Sequence, residues 1–275
     1  MDYASISSYS SLLDSSCECN GAVRMDYPLE YNQVDVLGSC NGLICMGISS
    51  DILGASMLCK DASICIWNPS TREYKKIPVH KRDFSLYSDN RCNRYGFGYD
   101  HIIDDYKLVR ISENETSSCF EVEVYTLGSS TWSCTRASPY TFPYERRFRG
   151  LLFNGALHWL GVAVTQENSP EVIVSFDISS EKVLELPLLP EQTTLYQGNR
   201  KARRNLGTLG DCLCLVSNIP RIRTDIWVMR KYGVDASWTK QFTCSQQIIP
   251  KYLYSKPIWS LQNGEFLIDV DYGFV

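Results

Sequence analysis

A degenerate unit returns along this chain at intervals of roughly 50 to 60 residues. Its clearest part is an aromatic-containing strand that runs into a polar turn. It reads ICIWNPSTREYKKIP from Ile64, FEVEVYTLGSSTWSCT from Phe120, VIVSFDISSEKVLELP from Val172 and DIWVMRKYGVDASWTKQF from Asp225. Aligned on the aromatic, Trp67, Tyr125, Phe176 and Trp227 are equivalent, 58, 51 and 51 residues apart. A unit of that length made only of strands and turns cannot bury its own apolar face. Stacking copies side by side solves this, and the pattern predicts an all-β, β-propeller-like fold. A propeller is a scaffold, so its function is expected in loops rather than in a signature motif.

A second landmark supports the same period. Tight turns between apolar runs fall at Asn41-Gly42, Asn154-Gly155, Gly210-Asp211 and Asn263-Gly264, the last three 56 and 53 residues apart. Asn-Gly supplies the positive φ angles of a type I′ hairpin turn. A wider turn from Asp100 to Asp105 takes this place in the unit between the first two. Each blade then reads as four antiparallel strands. Blade A runs from Val34 to Pro78, B from Arg94 to Thr135, C from Phe148 to Pro190 and D from Asn205 to Phe242. Blade E opens at Pro257 with two strands. About five blades are thus expected, with the ring incomplete. The division is an N-terminal segment, 1–33, and a propeller domain, 34–275, that reads as truncated at its C-terminus. Ser5 to Leu13 has the look of an outer strand of the closing blade. The alternation of Phe120, Val122 and Val124 with Glu121 and Glu123 suggests a strand with one face partly open to water.

Strand polarity sorts the loops. In an antiparallel blade, the turn joining strands one and two and the turn joining three and four lie at one end. The two–three loops and the blade-to-blade connections lie at the other. The first class is short here. The second is long and uneven, as in 47–63, 79–93, 136–147, 191–204 and 245–256. Such a set is either a recognition face or a collection of tolerated insertions.

Composition narrows the function class. The formal net charge of -4, from 27 basic and 31 acidic residues, argues against a nucleic-acid or membrane surface. No stretch approaches the 18 apolar residues of a spanning helix. The first residues, MDYASISSYSSLLDSS, lack the pattern of a secretory signal, so the expected location is cytoplasmic and/or nuclear. The 12 cysteines are scattered. Cys45, Cys65, Cys212 and Cys214 lie in strand-like runs, where cysteine acts as a small hydrophobe, and they read as free thiols. No phosphate loop, HExxH, nucleophile elbow or calcium loop is present. No catalytic, cofactor-binding or metal-binding residue is therefore assigned. His158, between Leu157 and Trp159, reads as a core histidine. The six tryptophans read as inter-blade packing, with an aromatic ligand cage as the competing reading.

Two basic clusters stand out. Arg146, Arg147 and Arg149 lie in one inter-blade loop or at its exit; Arg200, Lys201, Arg203 and Arg204 lie in the next. One blade apart, they form a candidate patch for an acidic or phosphorylated protein segment. A solvated charge run is the competing reading. No aromatic platform accompanies the arginines, which speaks against RNA.

These segments resemble a plant family. GSCNGLICM from Gly38 and IWNPSTREYKKIP from Ile66 look like the opening of the F-box-associated, kelch-like interaction domain. YGFGYDHIIDDYKLVRI from Tyr95, VEVYTLGSSTWSC from Val122, FNGALHWLG from Phe153 and SFDISSEKVLELP from Ser175 continue in the family's order. The resemblance implies a non-catalytic module, the substrate-recognition part of an SCF-type E3 ubiquitin ligase receptor. Its partner would be a protein target, unknown, with ubiquitin transferred by other subunits. Full-length members also bind a Skp1-like adaptor through an F-box, and residues 1–33 carry no such pattern, which puts that partner in doubt. A propeller enzyme, or a ligand- or carbohydrate-binding propeller that uses loop residues, is the alternative from other classes.

Overall fold

The computed structural model describes residues 33–49, 63–78, 93–113, 120–138, 140–142, 149–164, 170–188, 202–219, 222–245, 254–260 and 266–271. Every regular element among them is a strand, apart from one 3₁₀ turn at Asp235–Ser237. The strands form antiparallel sheets in chain order, as expected of propeller blades. Blade A is β1 (Gln33–Cys40), β2 (Leu43–Ser49), β3 (Ser63–Trp67) and β4 (Tyr74–Ile77). Blade B is β5 (Arg94–Asp100), β6 (Asp105–Glu113), β7 (Phe120–Thr126) and β8 (Thr131–Ser138). Blade C is β10 (Leu151–Phe153), β11 (Ala156–Ala163), β12 (Glu171–Asp177) and β13 (Val183–Leu186). A two-residue strand, β9 (Tyr140–Thr141), also pairs with β11, so its inner strand comes in two pieces. Blade D is β14 (Arg203–Leu209), β15 (Cys212–Ile219), β16 (Arg223–Met229) and β17 (Trp238–Ser245). The fifth sheet holds β18 (Tyr254–Ser260) and β19 (Phe266–Asp271). The Ser5 to Leu13 strand and the Asn263-Gly264 turn lie outside the described residues.

The turn chemistry agrees with the sequence. Asn41 and Gly42 have φ of 47° and 82°, and Asn154 and Gly155 of 49° and 72°, as a type I′ turn requires. At Gly210-Asp211 only Gly210 is left-handed, with φ 56°. The turns from strand three to strand four share a second device. In blades A and C the N–H of the first turn residue donates to the carbonyl five residues on: Asn68 to Glu73 at 2.9 Å and Asp177 to Lys182 at 3.0 Å. The residue five positions after Trp67, Tyr125 and Phe176 is left-handed in all three blades: Arg72 (φ 62°), Ser130 (φ 56°) and Glu181 (φ 54°). Blade D closes a longer turn with Arg230 N–H donating to Ser237 O at 3.1 Å.

This geometry corrects the alignment of the repeat. Four equivalent pairs join the end of strand three to the start of strand four: Trp67 with Tyr74, Tyr125 with Trp132, Phe176 with Val183 and Met229 with Trp238. Met229, not Trp227, is thus the equivalent of Trp67, Tyr125 and Phe176. Trp227 sits two residues earlier on the strand and is half-buried, with the Lys240 ammonium 5.0 Å from its ring centre. Period-2 alternation puts both residues on one face, so composition alone does not choose between them.

The core lies between successive blades. Leu37 and Ile66 of blade A pack with Tyr95, Phe97, Leu108 and Tyr125 of blade B. Val109, Val122 and Val124 of B meet Leu157, Trp159, Val174 and Phe176 of C. Leu160, Ile173 and Leu186 of C meet Leu206, Leu213, Leu215 and Met229 of D. A third strand therefore has a blade on each side and is buried on both faces. The face of β7 expected to be partly open to water is so at Glu121, which is half-buried, but not at Glu123. Glu123 is buried and forms an ion pair with Arg110 directly across on β6. The Arg110 guanidinium also lies 5.4 Å from the Trp132 ring centre. The alternation in β7 marks one apolar buried face and a second that is half-buried at Glu121 and charge-paired at Glu123. The solvated strands are the fourth ones, such as β4, where only Ile77 is buried.

The inner strand YGFGYD shows how neighbouring blades come close. Tyr95 and Phe97 point into the A–B core. Between them, a Cβ on Gly96 would stand 2.8 Å from Leu157 and 2.9 Å from Trp159 of blade C. The absent side chain at Gly96 is what admits blade C.

Two further ties link blades at their outer strands. Trp132 Nε1 donates to Pro78 O at 3.1 Å, and Trp238 Nε1 donates to Pro187 O at 3.0 Å. In each case the first tryptophan of an outer strand bonds the proline just past the preceding blade's outer strand. At the hairpin end, Lys107 of blade B donates to Glu181 at 2.7 Å and to Ile178 O at 3.0 Å on blade C, and pairs with Asp100 at 2.8 Å.

Candidate functional site

Chain direction decides which charges share an end of the disk. First strands run toward the hairpin turns, so their first residues stand at the end of the long connections. Arg149 comes just before β10, at the exit of its connection, as the sequence suggested. Gly150 N–H donates to Tyr95 O at 2.6 Å and anchors it there. Its side chain is exposed and approaches Asp35, at the start of β1, to 3.4 Å. Arg203 is the first residue of β14 and is half-buried. β10 and β14 are neighbours, so Arg149 and Arg203 occupy the same end of adjacent first strands. Arg146, Arg147, Arg200 and Lys201 lie outside the described residues.

Arg204 departs from the expected patch. It belongs to β14 rather than to a loop, and alternation turns it inward. It is buried, and its Nη1 donates to Glu171 Oε2 at 2.5 Å on blade C. A guanidinium needs a carboxylate partner when it leaves water, and Glu171 is that partner. Arg204 joins blades C and D and is not an exposed patch residue. Arg223, which the sequence reading did not single out, opens β16 at the same end. Its Nε donates to Asp225 Oδ2 at 3.0 Å, and Lys240 approaches the same oxygen at 3.3 Å. The signal for it was the short run IPRIR before a strand, obscured by the denser clusters upstream.

His158 occupies the C–D interface. It is buried; its Nδ1 lies 3.2 Å from Leu151 O and its Nε2 2.7 Å from the Tyr232 hydroxyl. A carbonyl only accepts, so Nδ1 carries the hydrogen and Nε2 accepts from Tyr232. Ser175 Oγ stands 3.3 Å from the same Nε2. Burial lowers the His158 pKa to about 4, against the raising effect of the backbone contacts at Leu151 and Ala156. Both ring nitrogens are occupied inside the protein. The arrangement holds two blades together and leaves no lone pair for a substrate.

The thiols follow the same logic. Cys45 and Cys65 are fully buried in blade A, and burial pushes both thiols up, that of Cys65 to about 11. They act as small apolar side chains. No helix among the described residues is long and apolar enough to cross a membrane.

Comparison with known proteins adds the family. The F-box associated beta propeller domain matches residues 1–275. Among curated proteins of Arabidopsis thaliana, F-box protein CPR1 is 30% identical over 279 residues, covering 94% of this chain and 63% of that protein. An F-box/kelch-repeat protein is 28% identical, covering 82% of this chain and 55% of its own length. Another F-box protein is 30% identical, covering 85% and 57%. The chain thus spans somewhat over half the length of these relatives. Solved structures align loosely, for example a prolyl endopeptidase with 9% identity and a TM-score of 0.46 over 87% of this chain and 32% of that one.

Proposed function

Since the chain belongs to the F-box associated beta propeller domain family, we propose that it is a non-catalytic protein-interaction module that holds a target for an SCF-type ubiquitin ligase. The observation that carries this reading is the family match over the whole chain, joined to relatives that are F-box proteins. The internal arrangement is in keeping with it. The described titratable groups that look most chemical are consumed in packing: His158 joins blades C and D, and the Arg110–Glu123 pair is buried inside blade B. What remains for recognition is surface at the blade ends.

In this reading the target is a protein with an acidic or phosphorylated segment. It meets the end of the disk where Arg149 and Arg203 stand, with Arg223 nearby. Guanidinium groups suit such a ligand because they donate paired hydrogen bonds to carboxylate or phosphate. A Skp1-like adaptor joins through the F-box of a full-length receptor, and ubiquitin transfer belongs to other subunits. The work is done in the cytoplasm or nucleus.

Proximity labelling in plant cells tests this. This chain and a version fused to an F-box are compared with an unrelated propeller. Both are expected to label a common set of proteins, and only the F-box version should add the adaptor and cullin. Labelling by both that matches the unrelated propeller would sink the reading.

A further inference from the structure

The hairpin turn of blade B carries an exposed apolar tip. Ile102 is 71% exposed and Ile103 52% exposed, side by side between β5 and β6. They stand at the end of the disk opposite Arg149 and Arg203. A turn with no structural need for branched apolar residues would normally carry polar ones.

The tip is held in one shape. Asp100 Oδ1 accepts from Ile102 N–H at 2.9 Å and from Ser179 Oγ of blade C at 2.9 Å. Asp104 is left-handed, with φ 55°, and accepts from the Tyr99 hydroxyl. Asp105 Oδ2 accepts from Gly128 N–H at 2.8 Å. A segment docking on such a tip meets an ordered surface and loses less entropy on binding.

The surroundings are acidic. Asp100, Asp104, Asp105, Asp177 and Glu181 lie in this turn and the adjoining turn of blade C, against Lys107 and Lys182. Lys107 is already shared between Asp100 and Glu181. Asp105 accepts from the Tyr106 and Gly128 N–H groups, and Asp177 from the N–H and hydroxyl of Ser180 at 2.7 Å; these donors are neutral and leave the carboxylate charge in place.

We propose that the Ile102–Ile103 tip is a second docking point, for a protein segment that presents apolar side chains among lysines or arginines. The isoleucines supply contact area that leaves water. The carboxylates around them select a cationic frame and reject an acidic one. This surface is separate from the one assigned to the target.

The test uses a phage-displayed library of random peptides selected on the whole purified chain. Enriched peptides are synthesised and measured against the chain and against I102S/I103S, D104N and R203E variants. Folding of each variant is checked by circular dichroism. The expected peptides combine apolar residues with Lys or Arg. They should bind I102S/I103S at least about tenfold more weakly and D104N less well than the original. Their affinity should fall as salt rises toward about 0.5 M, as it does for partly exposed charges, and R203E should leave it unchanged. Enrichment only of peptides without Lys or Arg, equal binding to I102S/I103S, or no enrichment over an unrelated propeller overturns the proposal; acidic peptides that lose affinity for R203E belong to the other face.

Discussion

At the scale of single residues, buried polar groups make the sharpest predictions. Glu123→Ala leaves the Arg110 guanidinium in the core without the carboxylate across from it. Removing one partner of a buried pair costs about 3–5 kcal/mol, so the urea midpoint should drop strongly. A double change to apolar residues of similar size, Arg110→Met with Glu123→Leu, should recover much of that loss. His158 predicts a pH dependence. Its folded pKa of about 4 is below the unfolded value of 6.5, so the unfolded chain binds the extra proton between those limits. Its contribution is intact above pH 6.5 and is lost as pH falls toward 4, reaching about 3 kcal/mol. Denaturant melts at pH 7 and pH 4.5 measure it, and His158→Gln should flatten the difference. These roles were only partly legible. Leu157-His158-Trp159 reads as core from its neighbours. Glu123 reads as solvated, because alternation marks two different faces without saying whether the second is wet.

At the scale of elements, turns were readable and connections between blades were not. Asn-Gly turns announce themselves because few residues adopt positive φ at both central positions. The displaced register of blade D does not announce itself, since a longer turn after Met229 shifts the aromatic by one full strand period. The outer-strand tryptophans are legible only afterwards, as Ile-Pro and Leu-Pro endings in blades A and C followed by Trp-led strands in B and D. Trp132→Phe and Trp238→Phe keep most of the ring while removing the indole N–H that reaches Pro78 and Pro187. Each should lower stability by about 0.5–1.5 kcal/mol. The two share no partner, so their effects should add in the double variant when measured by chemical denaturation.

At the scale of the whole molecule, strand polarity sorts the charged residues by end. Arg149 and Arg203 are the described arginines of the proposed target face, so Arg149→Glu with Arg203→Glu should weaken binding of an acidic or phosphorylated target peptide. The loss should shrink in high salt; isothermal titration at two salt concentrations reads both. Arg204→Glu would place a second carboxylate beside Glu171 and is expected to unfold the blade C–D junction. It is therefore a control for stability rather than for binding. What the sequence by itself determined is the repeat, the blade count along the described chain and the turn types, because each is written in local spacing and local backbone chemistry; the family was legible as a resemblance of several segments in one order. The tertiary structure alone decided which charges face water. Arg203 and Arg204 are neighbours in sequence, yet alternation on β14 and the presence of Glu171 on the next blade bury one and leave the other half-exposed. A side chain's cost of leaving water is set by what stands across from it, and for Arg204 that partner comes from another blade.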